Sequence, residues 1–497
     1  MTDRLRDLIE GFDHRIIGDP DVAIHDVTSD SRRVGPGSAF VAVRGSQVDG
    51  HAFLSGAVEA GASAVVVDTA GAIGLELGEE VTRVVVEDSR AALGHMVRRR
   101  SGHPDRALTV VAVTGTNGKT TVSHLVRDLL DQTGRRCGLI GTIRYDVLDR
   151  EYAAPLTTPA PEELLPLLAT IRDHGGQAVS MEASSHALDQ RRLAGIEVDV
   201  AAFTNLSHEH LDYHGDLESY FAAKRRLLAH LDQPGREKPA GHAVVYADDP
   251  FLGVREWPSD AIRVGTGNDC RVRARSIRCD AEGITLDVEL DGVEHRLSSV
   301  LLGDYNAANL LVVAGIGTAL GIAPADLAAS FPALRPVPGR LEPVELEGGP
   351  QVLIDYAHTP EGMRSALDTV RSIVDGRLFV VFGCGGDRDR AKRPAMASIA
   401  VERADRVVLT LDNPRTEDPA RIFADAEPGF AAAPERARRI DDRADAVAEV
   451  LREAGPADTV LICGKGHETY QIVGTEKIPW DDRVVLRDVW REIGDAR

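Results

Sequence analysis

The chain of 497 residues contains little cysteine and no long apolar run. Its five cysteines are scattered and form no CxxC pair, which argues against a disulfide framework and a cysteine zinc site. The longest apolar stretch, 310–323, is interrupted by glycines and is shorter than the roughly 18–20 residues of a membrane span. The N-terminus, MTDRLRDLIE, is charged and has no signal-peptide core. We therefore expect a cytoplasmic protein without membrane insertion.

Positive charge is also scarce, and lysine especially so. Asp and Glu number 78 against 57 Lys and Arg, a net charge of −21, which argues against general binding of nucleic acid. Any phosphate site must therefore be built locally from a few cations and backbone amides. Only six residues are lysines, so a lysine inside a motif is informative. Four of the six lie in motifs described below: Lys119, Lys224, Lys392 and Lys465.

The order of apolar patterns predicts an α/β fold in three domains. Strand-like runs alternate with helical patterns along most of the chain, as in proteins built on parallel sheets. Two segments containing proline and glycine, 101–105 and 331–340, are typical of domain junctions. They predict domains 1–104, 105–336 and 337–497. The stretch 271–301 alternates like antiparallel strands and predicts a β insertion in the middle domain.

A glycine-rich loop lies between a predicted strand and a predicted helix. The β-branched run 108–113 leads into TGTNGKTT (114–121), and an amphipathic helix follows. This is P-loop geometry, in which backbone N–H groups and the helix N-terminus bind phosphates. Lys119 would bridge the β- and γ-phosphates of ATP, and the Thr120 hydroxyl would reach Mg²⁺. The other loop residues predicted to hold nucleotide are Gly115, Thr116, Asn117, Gly118 and Thr121. Val113 replaces a glycine of the common motif, so the loop is a shortened variant.

Glu182 and His210 lie just beyond two further predicted strands, 178–181 and 198–203. In an open parallel sheet, ligands bind beyond the carboxyl ends of the strands. A carboxylate and an imidazole near a P-loop are therefore candidate Mg²⁺ ligands.

Lys224 lies on the apolar face of a predicted helix over 218–231. A lysine on a buried face is costly unless it is paired or chemically altered. One interpretation is that the stem packs while the ammonium reaches water. The other is a functional lysine that points towards the metal site. The periodicity alone does not separate the two.

Three predicted strands of the last domain end in polar loops. The strands 378–382, 406–411 and 459–463 precede loops at 383–389, 412–415 and 464–468, which should meet at one edge of a sheet. These loops can recognise a molecule that carries both carboxylates and amines. The candidate residues are Arg388, Asp412, Asn413, Arg415, Gly464 and Glu468.

Together these motifs resemble the Mur ligase family, the ATP-dependent amino-acid ligases of peptidoglycan synthesis. The matching segments include TGTNGKTT, TTP (157–159), EASSHAL (182–188), FTNLSHEHLDYHG (203–215), YFAAK (220–224), GDYNAAN (303–309), PGRLE (338–342), DYAHTP (355–360), GCGGDRDRAKRP (383–394), DNPR (412–415) and GKGHE (464–468). The resemblance implies an N-terminal UDP-sugar-binding α/β domain, a central P-loop ATPase-like domain and a C-terminal Rossmann-like domain.

The resemblance also implies roles for individual residues. Lys119, Glu182, His210 and Lys224 match catalytic positions. Lys224 matches a lysine that is carbamylated and helps to bind a second Mg²⁺. Positions around the nucleotide are matched by Asn306, Arg340 and Asp355, and positions near the uridine by Ser31 and Gln47. Contacts to the nascent peptide are matched by Thr157, Thr158, Ser184 and Arg192.

Within the family, the motifs are similar to those of members that add the third residue of the stem peptide. The implied reaction joins diaminopimelate to the D-glutamate of UDP-N-acetylmuramoyl-L-alanyl-D-glutamate through an acyl phosphate. We expect diaminopimelate rather than lysine, because only diaminopimelate has a distal carboxylate for the fork of donors on Arg415. We also expect a monomer.

Three alternatives stay open. One is a paralogue that joins another amino acid, such as L-lysine or a secondary-metabolite substrate. It is suggested by His208 and Glu209, where the family usually has other residues. The second is a non-catalytic nucleotide-binding regulator. The third is a folylpolyglutamate-type ligase.

Overall fold

The structure, a computed structural model, describes residues 2–45, 48–73 and 81–495. It divides into two compact units. The first comprises Met1–Ala274, Glu289–Val293 and Asn309–Ser330, and the second comprises Arg275–Val288, Glu294–Ala308 and Phe331–Arg497. The predicted boundaries at 104/105 and 336/337 are not tested by this division and stay predictions.

The first unit begins with a five-stranded sheet of order β2-β7-β6-β5-β4, in which β2 runs antiparallel to β7 and the other pairs are parallel. A small pair, β1 with β3, lies outside this sheet. The strands are β1 Asp3–Arg4, β2 His14–Ile17, β3 Ala23–Ile24, β4 Asp26–Thr28, β5 Ser38–Val41, β6 Ala64–Asp68 and β7 Thr82–Val86. The helices are α1 Leu5–Ile9, α2 Leu54–Glu59, α3 Ser89–Arg100 and α4 Pro104–Ala107.

The phosphate loop belongs to a larger sheet whose strand order is β11-β10-β9-β12-β8-β13-β14-β15-β16-β17-β18. Its strands are β8 Thr109–Thr114, β9 Cys137–Ile140, β10 Arg144–Asp146, β11 Glu151–Ala153, β12 Ala178–Glu182, β13 Val200–Phe203, β14 His242–Tyr246, β15 Ile262–Gly265, β16 Val272–Asp280, β17 Gly283–Leu290 and β18 Val293–Ser299. The strands from β9 through β16 in this order pair in parallel. Strands β8, β12 and β13 confirm the three predicted strands that end at candidate ligands. Strands β16, β17 and β18 confirm that the stretch 271–301 forms strands, while its place as an insertion in the middle domain stays a prediction.

The central strands are apolar because both faces of the sheet are covered, which is usual for parallel sheets. The covering helices of this part are α5 Lys119–Gln132, α6 Pro161–Asp173, α7 Ser185–Asp189, α8 Leu211–His214, α9 Leu217–Arg225, α10 Asp304–Ala319 and α11 Pro324–Ser330. The predicted helix over 218–231 is wrong in its second half. Helix α9 ends at Arg225, and a 3₁₀ turn, Arg226–His230, follows it. Such tightening of a last turn is common at helix ends.

The second unit contains a sheet of order β19-β20-β24-β21-β22-β23. Its strand pairs are parallel except for β19 with β20, which is antiparallel. After β24, the chain forms a separate antiparallel hairpin of β25 and β26. The strands are β19 Glu342–Val344, β20 Gln351–Asp355, β21 Leu378–Cys384, β22 Arg406–Leu411, β23 Ala437–Arg439, β24 Thr459–Cys463, β25 Tyr470–Val473 and β26 Glu476–Pro479. The helices are α12 Pro360–Ile373, α13 Lys392–Arg403, α14 Pro419–Ala426, α15 Arg443–Glu453 and α16 Asp482–Asp495. Strands β21, β22 and β24 confirm the three predicted strands with polar loops.

The prediction of an α/β fold with parallel sheets is thus confirmed. No helix in the described part of the chain is long and apolar enough to cross a membrane.

Candidate active site

The loop between β8 and α5 has the backbone shape that a phosphate site needs. Gly118 precedes α5 with a φ of +84°, and Gly115 has a φ of +152°. A Cβ atom at Gly115 would lie 1.9 Å from Oγ1 of Thr204, so the loop can pass Thr204 only with glycine at this position. The N–H groups in the first turn of α5 have no carbonyl partner within the helix, which is why a helix N-terminus can bind phosphate.

Side chains around the loop fix its path. Thr204 Oγ1 donates to the carbonyl oxygen of Asn117 at 2.6 Å, and the Asn117 N–H donates to Oδ1 of Asn205 at 2.8 Å. The Lys119 ammonium donates to the carbonyl oxygens of Gly115 and Thr116 at 2.9 and 2.6 Å. The Lys119 ammonium is therefore held over the loop, where a bound phosphate would meet it.

Glu182 lies at the end of β12 and pairs with Val113 of the neighbouring strand. Its carboxylate is buried and both of its oxygens are engaged. Oε1 accepts from the N–H of Thr142 at 2.7 Å, and Oε2 accepts from the hydroxyls of Thr120 at 3.0 Å and Thr142 at 3.1 Å. The structure thus brings the predicted metal carboxylate and the predicted metal hydroxyl into direct contact.

This pair suits Mg²⁺, which prefers oxygen ligands in an octahedron with metal–oxygen distances of about 2.0–2.1 Å. Neighbouring oxygens in such an octahedron are about 2.9 Å apart, and the Thr120 Oγ1 and Glu182 Oε2 atoms are 3.0 Å apart. Among the described residues, no group of three or more His, Cys, Asp or Glu side chains is placed to hold a metal ion.

Lys224 is buried, with 2% of its surface exposed. Its ammonium donates to the carbonyl oxygen of Gly115 at 2.7 Å and lies 4.3 Å from the ring centre of Tyr220. The interpretation in which this ammonium reaches water is therefore wrong. Burial and the nearby positive charge of Lys119 hold the pKa of Lys224 well below its usual range. A neutral amine at the phosphate loop is the form that can react with an electrophile such as CO₂.

His210 precedes α8 in the left-handed conformation, with a φ of +56°. Its ring centre lies 4.9 Å from that of His186 and 6.1 Å from that of Tyr220. Partial burial and the nearby positive charge of Lys119 lower the pKa of His210. The lowered pKa favours the neutral imidazole, which is the form that binds metals.

The residues predicted to contact the nascent peptide form one cluster around Thr158. The Thr158 hydroxyl donates to the backbone carbonyl of Glu182 at 2.8 Å and accepts from the N–H of Ser184 at 3.1 Å. Arg192 donates to the Thr158 carbonyl at 2.7 Å, and Thr157 is the chain neighbour. The predicted peptide site therefore adjoins the predicted metal carboxylate.

The two residues predicted near uridine lie in the N-terminal part of the first unit. Ser31 begins a 3₁₀ turn, Ser31–Arg33, which Asp30 caps by accepting from the N–H of Arg32 at 3.0 Å. Gln47 lies outside the described residues.

The three residues predicted around the nucleotide belong to the second unit. The buried Asp355 carboxylate accepts from the N–H groups of Leu341 at 2.9 Å and Ala357 at 2.8 Å, and burial raises its pKa. The Arg340 guanidinium packs over the ring of Tyr356, next to Asp355 in the chain, at 4.9 Å from the ring centre. The Asn306 amide, in α10, donates to the carbonyl oxygen of Leu302 at 2.8 Å. The structure thus brings Arg340 and Asp355 close together. The Asn306 side chain instead bonds to Leu302, which lies just before the start of α10.

The loops after β22 and β24 meet, as predicted, through a buried network. The Asn413 amide donates to Oε2 of Glu468 at 2.9 Å, and its Oδ1 accepts from the ammonium of Lys465 at 3.0 Å. That ammonium is also 3.3 Å from Oδ1 of Asp412. Burial raises the pKa of Glu468. Gly464, with a φ of +108°, brings the β24 loop close to Asp412.

Arg415 and Arg388 are placed differently. Arg415 has a φ of +52° and donates to the carbonyl oxygen of Gly386 at 2.8 Å, which connects it to the loop after β21. Arg388, in that loop, is exposed, and its guanidinium donates to the carbonyl of Asp387 at 3.2 Å. Arg415 thus connects the loop after β22 to the loop after β21, whereas the Arg388 side chain is exposed to solvent.

Sequence reasoning missed two residues that organise these sites, Thr142 and Lys465. Thr142 links Glu182 to Thr157, since its hydroxyl lies 3.0 Å from Oγ1 of Thr157. No charge or motif marks Thr142 in the sequence. Lys465 was marked by the scarcity of lysine and by its place in GKGHE, but its partners are not evident from the sequence: Asp412 and Asn413 of the 412–415 loop, Glu468 of its own loop and the carbonyl of Tyr470 at the start of β25.

Comparison with known proteins agrees with this geometry. Three family models match the chain: "Mur ligase family, catalytic domain" at residues 23–101, "Mur ligase middle domain" at 113–317, and "Mur ligase, glutamate ligase domain" at 339–466. A relative from Geobacillus kaustophilus (strain HTA426), named UDP-N-acetylmuramoyl-L-alanyl-D-glutamate–2,6-diaminopimelate ligase, is 40% identical over 479 residues, 96% of each chain. The chain belongs to the Mur ligase family.

Two further matches show how far the likeness to other Mur ligases extends. A relative of the same name from Xylella fastidiosa (strain 9a5c) is 43% identical over 477 residues, 94% of each chain. A solved structure with that name is 32% identical, has a TM-score of 0.71, and covers 99% of this chain and 100% of its own. The resemblance drawn from the motifs and the three-domain Mur ligase fold are confirmed.

Proposed function

We propose that this Mur ligase joins diaminopimelate to the D-glutamate of UDP-N-acetylmuramoyl-L-alanyl-D-glutamate, with conversion of ATP to ADP and phosphate, in peptidoglycan synthesis. The observation that carries the proposal is the 40% identity, over 96% of both chains, to a curated ligase of that name. A match of the first family model at 23–101 argues against the folylpolyglutamate alternative. An intact Lys119, Glu182 and Lys224 arrangement argues against a non-catalytic regulator.

The reaction has two steps. An oxygen of the glutamate carboxylate forms a bond to the γ-phosphorus of ATP, and the bond from that phosphorus to the bridging oxygen breaks, which releases ADP. The amine of diaminopimelate then attacks the carbonyl carbon of the acyl phosphate. The carbon–oxygen bond to phosphate breaks and the nitrogen loses a proton, which leaves an amide and free phosphate.

The first unit supplies positive charge and orientation for the phosphoryl transfer. The Lys119 ammonium, held over the loop by the Gly115 and Thr116 carbonyls, turns to the phosphates and neutralises the charge that develops on them. Thr120 and Glu182 hold Mg²⁺, with His210 as a further ligand. When bound, Mg²⁺ supplies further neutralisation of the phosphate oxygens. Asn306, Arg340 and Asp355 contact the nucleotide.

Lys224 acts after carbamylation. The buried, neutral amine attacks CO₂, a nitrogen–carbon bond forms, and a proton is released, which leaves a carbamate anion. This anion serves as a ligand for a second Mg²⁺. Because the Lys224 nitrogen lies at the Gly115 carbonyl, the modified side chain would lie beside the phosphate loop.

Different groups of residues recognise the two substrates. Ser31 and Gln47 contact the uridine end, and the cluster of Thr157, Thr158, Ser184 and Arg192 contacts the peptide. In the second unit, Arg415 pairs with the distal carboxylate of diaminopimelate through two parallel N–H bonds. Arg388, Asp412, Asn413, Gly464 and Glu468 surround the rest of the amino acid. Lysine lacks the distal carboxylate and would leave the donors of Arg415 unpaired.

Further parts of the proposal concern the whole chain. The domains are 1–104, 105–336 and 337–497, which agrees with the gaps between the three family matches. We propose a cytoplasmic monomer that does not bind nucleic acid, in keeping with the net charge of −21.

The test is ADP release by the purified protein with Mg-ATP and UDP-N-acetylmuramoyl-L-alanyl-D-glutamate. Meso-diaminopimelate, LL-diaminopimelate and L-lysine are compared as acceptors. We expect turnover with a diaminopimelate and little with lysine. Equal turnover with lysine would contradict the role of Arg415. No turnover with any of the three would favour the paralogue, whose hint is His208 and Glu209.

A further inference from the structure

We propose that Lys465 is a positioning residue for the amino-acid substrate. Its ammonium orients the Asn413 amide and the Glu468 carboxylate so that both present fixed polar atoms to the diamino acid. The proposal rests on the proposed function, because it concerns the same site.

The Lys465 side chain is completely buried and its ammonium is surrounded by acceptors. It donates to Oδ1 of Asn413 at 3.0 Å and to the carbonyl oxygen of Tyr470 at 2.9 Å. It also lies 3.3 Å from Oδ1 of Asp412 and 3.5 Å from Oε2 of Glu468. A compact ammonium with three donors can serve acceptors in several directions, which the planar fork of arginine does not. This explains a lysine here in a chain that otherwise uses arginine.

Lys465 is one of two donors that set which way the Asn413 amide faces. Oδ1 of Asn413 accepts both from Lys465 and from the N–H of Ile472, the latter at 2.9 Å. With the oxygen end fixed by two donors, the NH₂ end must face Oε2 of Glu468, at 2.9 Å. Loss of the Lys465 ammonium would leave the Asn413 oxygen with one of these two donors, so the amide would be held less firmly, and would remove one of the two groups that orient Glu468.

The charge of Lys465 also favours the ionised form of Glu468. Burial raises the pKa of Glu468 and the Asp412 carboxylate raises it further, while Lys465 opposes both. The other titratable groups that face Glu468 are the phenols of Tyr356 and Tyr470. The two carboxylates and one ammonium leave a net negative charge, which complements the distal ammonium of a diamino acid.

The experiment compares Lys465→Met with the wild type and with Lys238→Met in the steady-state assay. Lys238 is a matched control, because it is a partly buried lysine of the first unit whose ammonium donates to the carbonyls of Asp105 and Leu108, both at 2.9 Å. We expect K465M to raise KM for diaminopimelate about 10-fold to 100-fold, the range for loss of hydrogen bonds to charged groups. We expect kcat and KM for ATP to change less than about 3-fold. K238M should lower thermal stability and leave KM for diaminopimelate unchanged.

The pH profile separates positioning from a purely structural role. In K465M the pKa of Glu468 rises, so KM for diaminopimelate should increase as the pH falls over a range where the wild type is flat. In the double variant K465M/E468Q this pH dependence should disappear while KM stays high. The double variant also removes one of the two carboxylates that K465M leaves without the ammonium, so it should be more stable than K465M alone.

The outcomes distinguish this inference from the proposed function. Wild-type turnover with diaminopimelate, together with an unchanged KM in K465M or an equal change in K238M, would overturn the role of Lys465 alone. No wild-type turnover with diaminopimelate would overturn both. A raised KM in K465M with the predicted pH dependence would support both.

Discussion

Replacement of Thr142 by valine should slow the reaction although Thr142 belongs to no recognised motif. The substitution keeps the shape of the side chain and removes the hydroxyl that contacts Oε2 of Glu182 at 3.1 Å and Oγ1 of Thr157 at 3.0 Å. A hydrogen bond to a charged group contributes about 1.5–3 kcal/mol. Thr142 is only half-buried, so water can replace part of the bond and we take the lower value. About 1.5 kcal/mol corresponds to a roughly tenfold slower reaction.

The assay is ADP release at saturating substrates, measured over a series of Mg²⁺ concentrations. We expect T142V to lower the rate about tenfold or to require correspondingly more Mg²⁺, because Glu182 loses part of its orientation. Thr142→Ser keeps the hydroxyl and should stay close to the wild type. Thr133→Val is the matched control, since the Thr133 hydroxyl only caps the end of α5. A rate for T142V within twofold of the wild type at every Mg²⁺ concentration, or equal losses in T142S and T142V, would refute the reasoning.

Three further predictions follow from the structure. Arg415→Lys should raise KM for diaminopimelate by about 10-fold or more, because the two parallel bonds to the distal carboxylate are lost. Turnover with lysine as the acceptor should change little. Kinetics with the two acceptors in competition would check this. Lys224→Met should abolish activity, and the wild type should lose activity in CO₂-free buffer and regain it with bicarbonate, with a 44-Da adduct as the mass-spectrometric signature of the carbamate. The side-chain bond to Arg393 lowers the pKa of Glu417 from 4.5 to about 2. Because the folded pKa is the lower one, this stabilisation is present above about pH 4.5 and is lost as the pH falls towards 2. Urea unfolding of the second unit should show that loss in the wild type and a smaller one in Arg393→Met.

Positions at strand ends could be predicted from the sequence because a parallel sheet brings the carboxyl ends of its strands to one edge. Glu182 illustrates this, since its strand lies beside the strand of the phosphate loop and Glu182 pairs with Val113. The meeting of the 412–415 and 464–468 loops follows the same rule, because β21 lies between β22 and β24 in the sheet. The apolar runs that mark these strands are unbroken, which made them easy to recognise.

Other parts depend on contacts that no local pattern contains. Thr142 reaches Glu182 from 40 positions away in the chain, through a turn after β9 that carries no charge and no motif. The end of α9 at Arg225 could not be read from periodicity, because the apolar spacing continues through the 3₁₀ turn that follows. The burial of Lys224 was left undecided by its helical spacing, and only the carbonyl of Gly115, which comes from another element, settles it.

The scarcity of lysine has a practical consequence at the β25–β26 hairpin. Lys477 is exposed, 4.2 Å from the ring centre of Tyr470, while the other five lysines are buried or half-buried. An amine-reactive dye should therefore attach mainly to Lys477, apart from the α-amino group. The hairpin also carries the Ile472 N–H that bonds to Asn413. A fluorophore on Lys477 would then report acceptor binding optically, without an engineered cysteine.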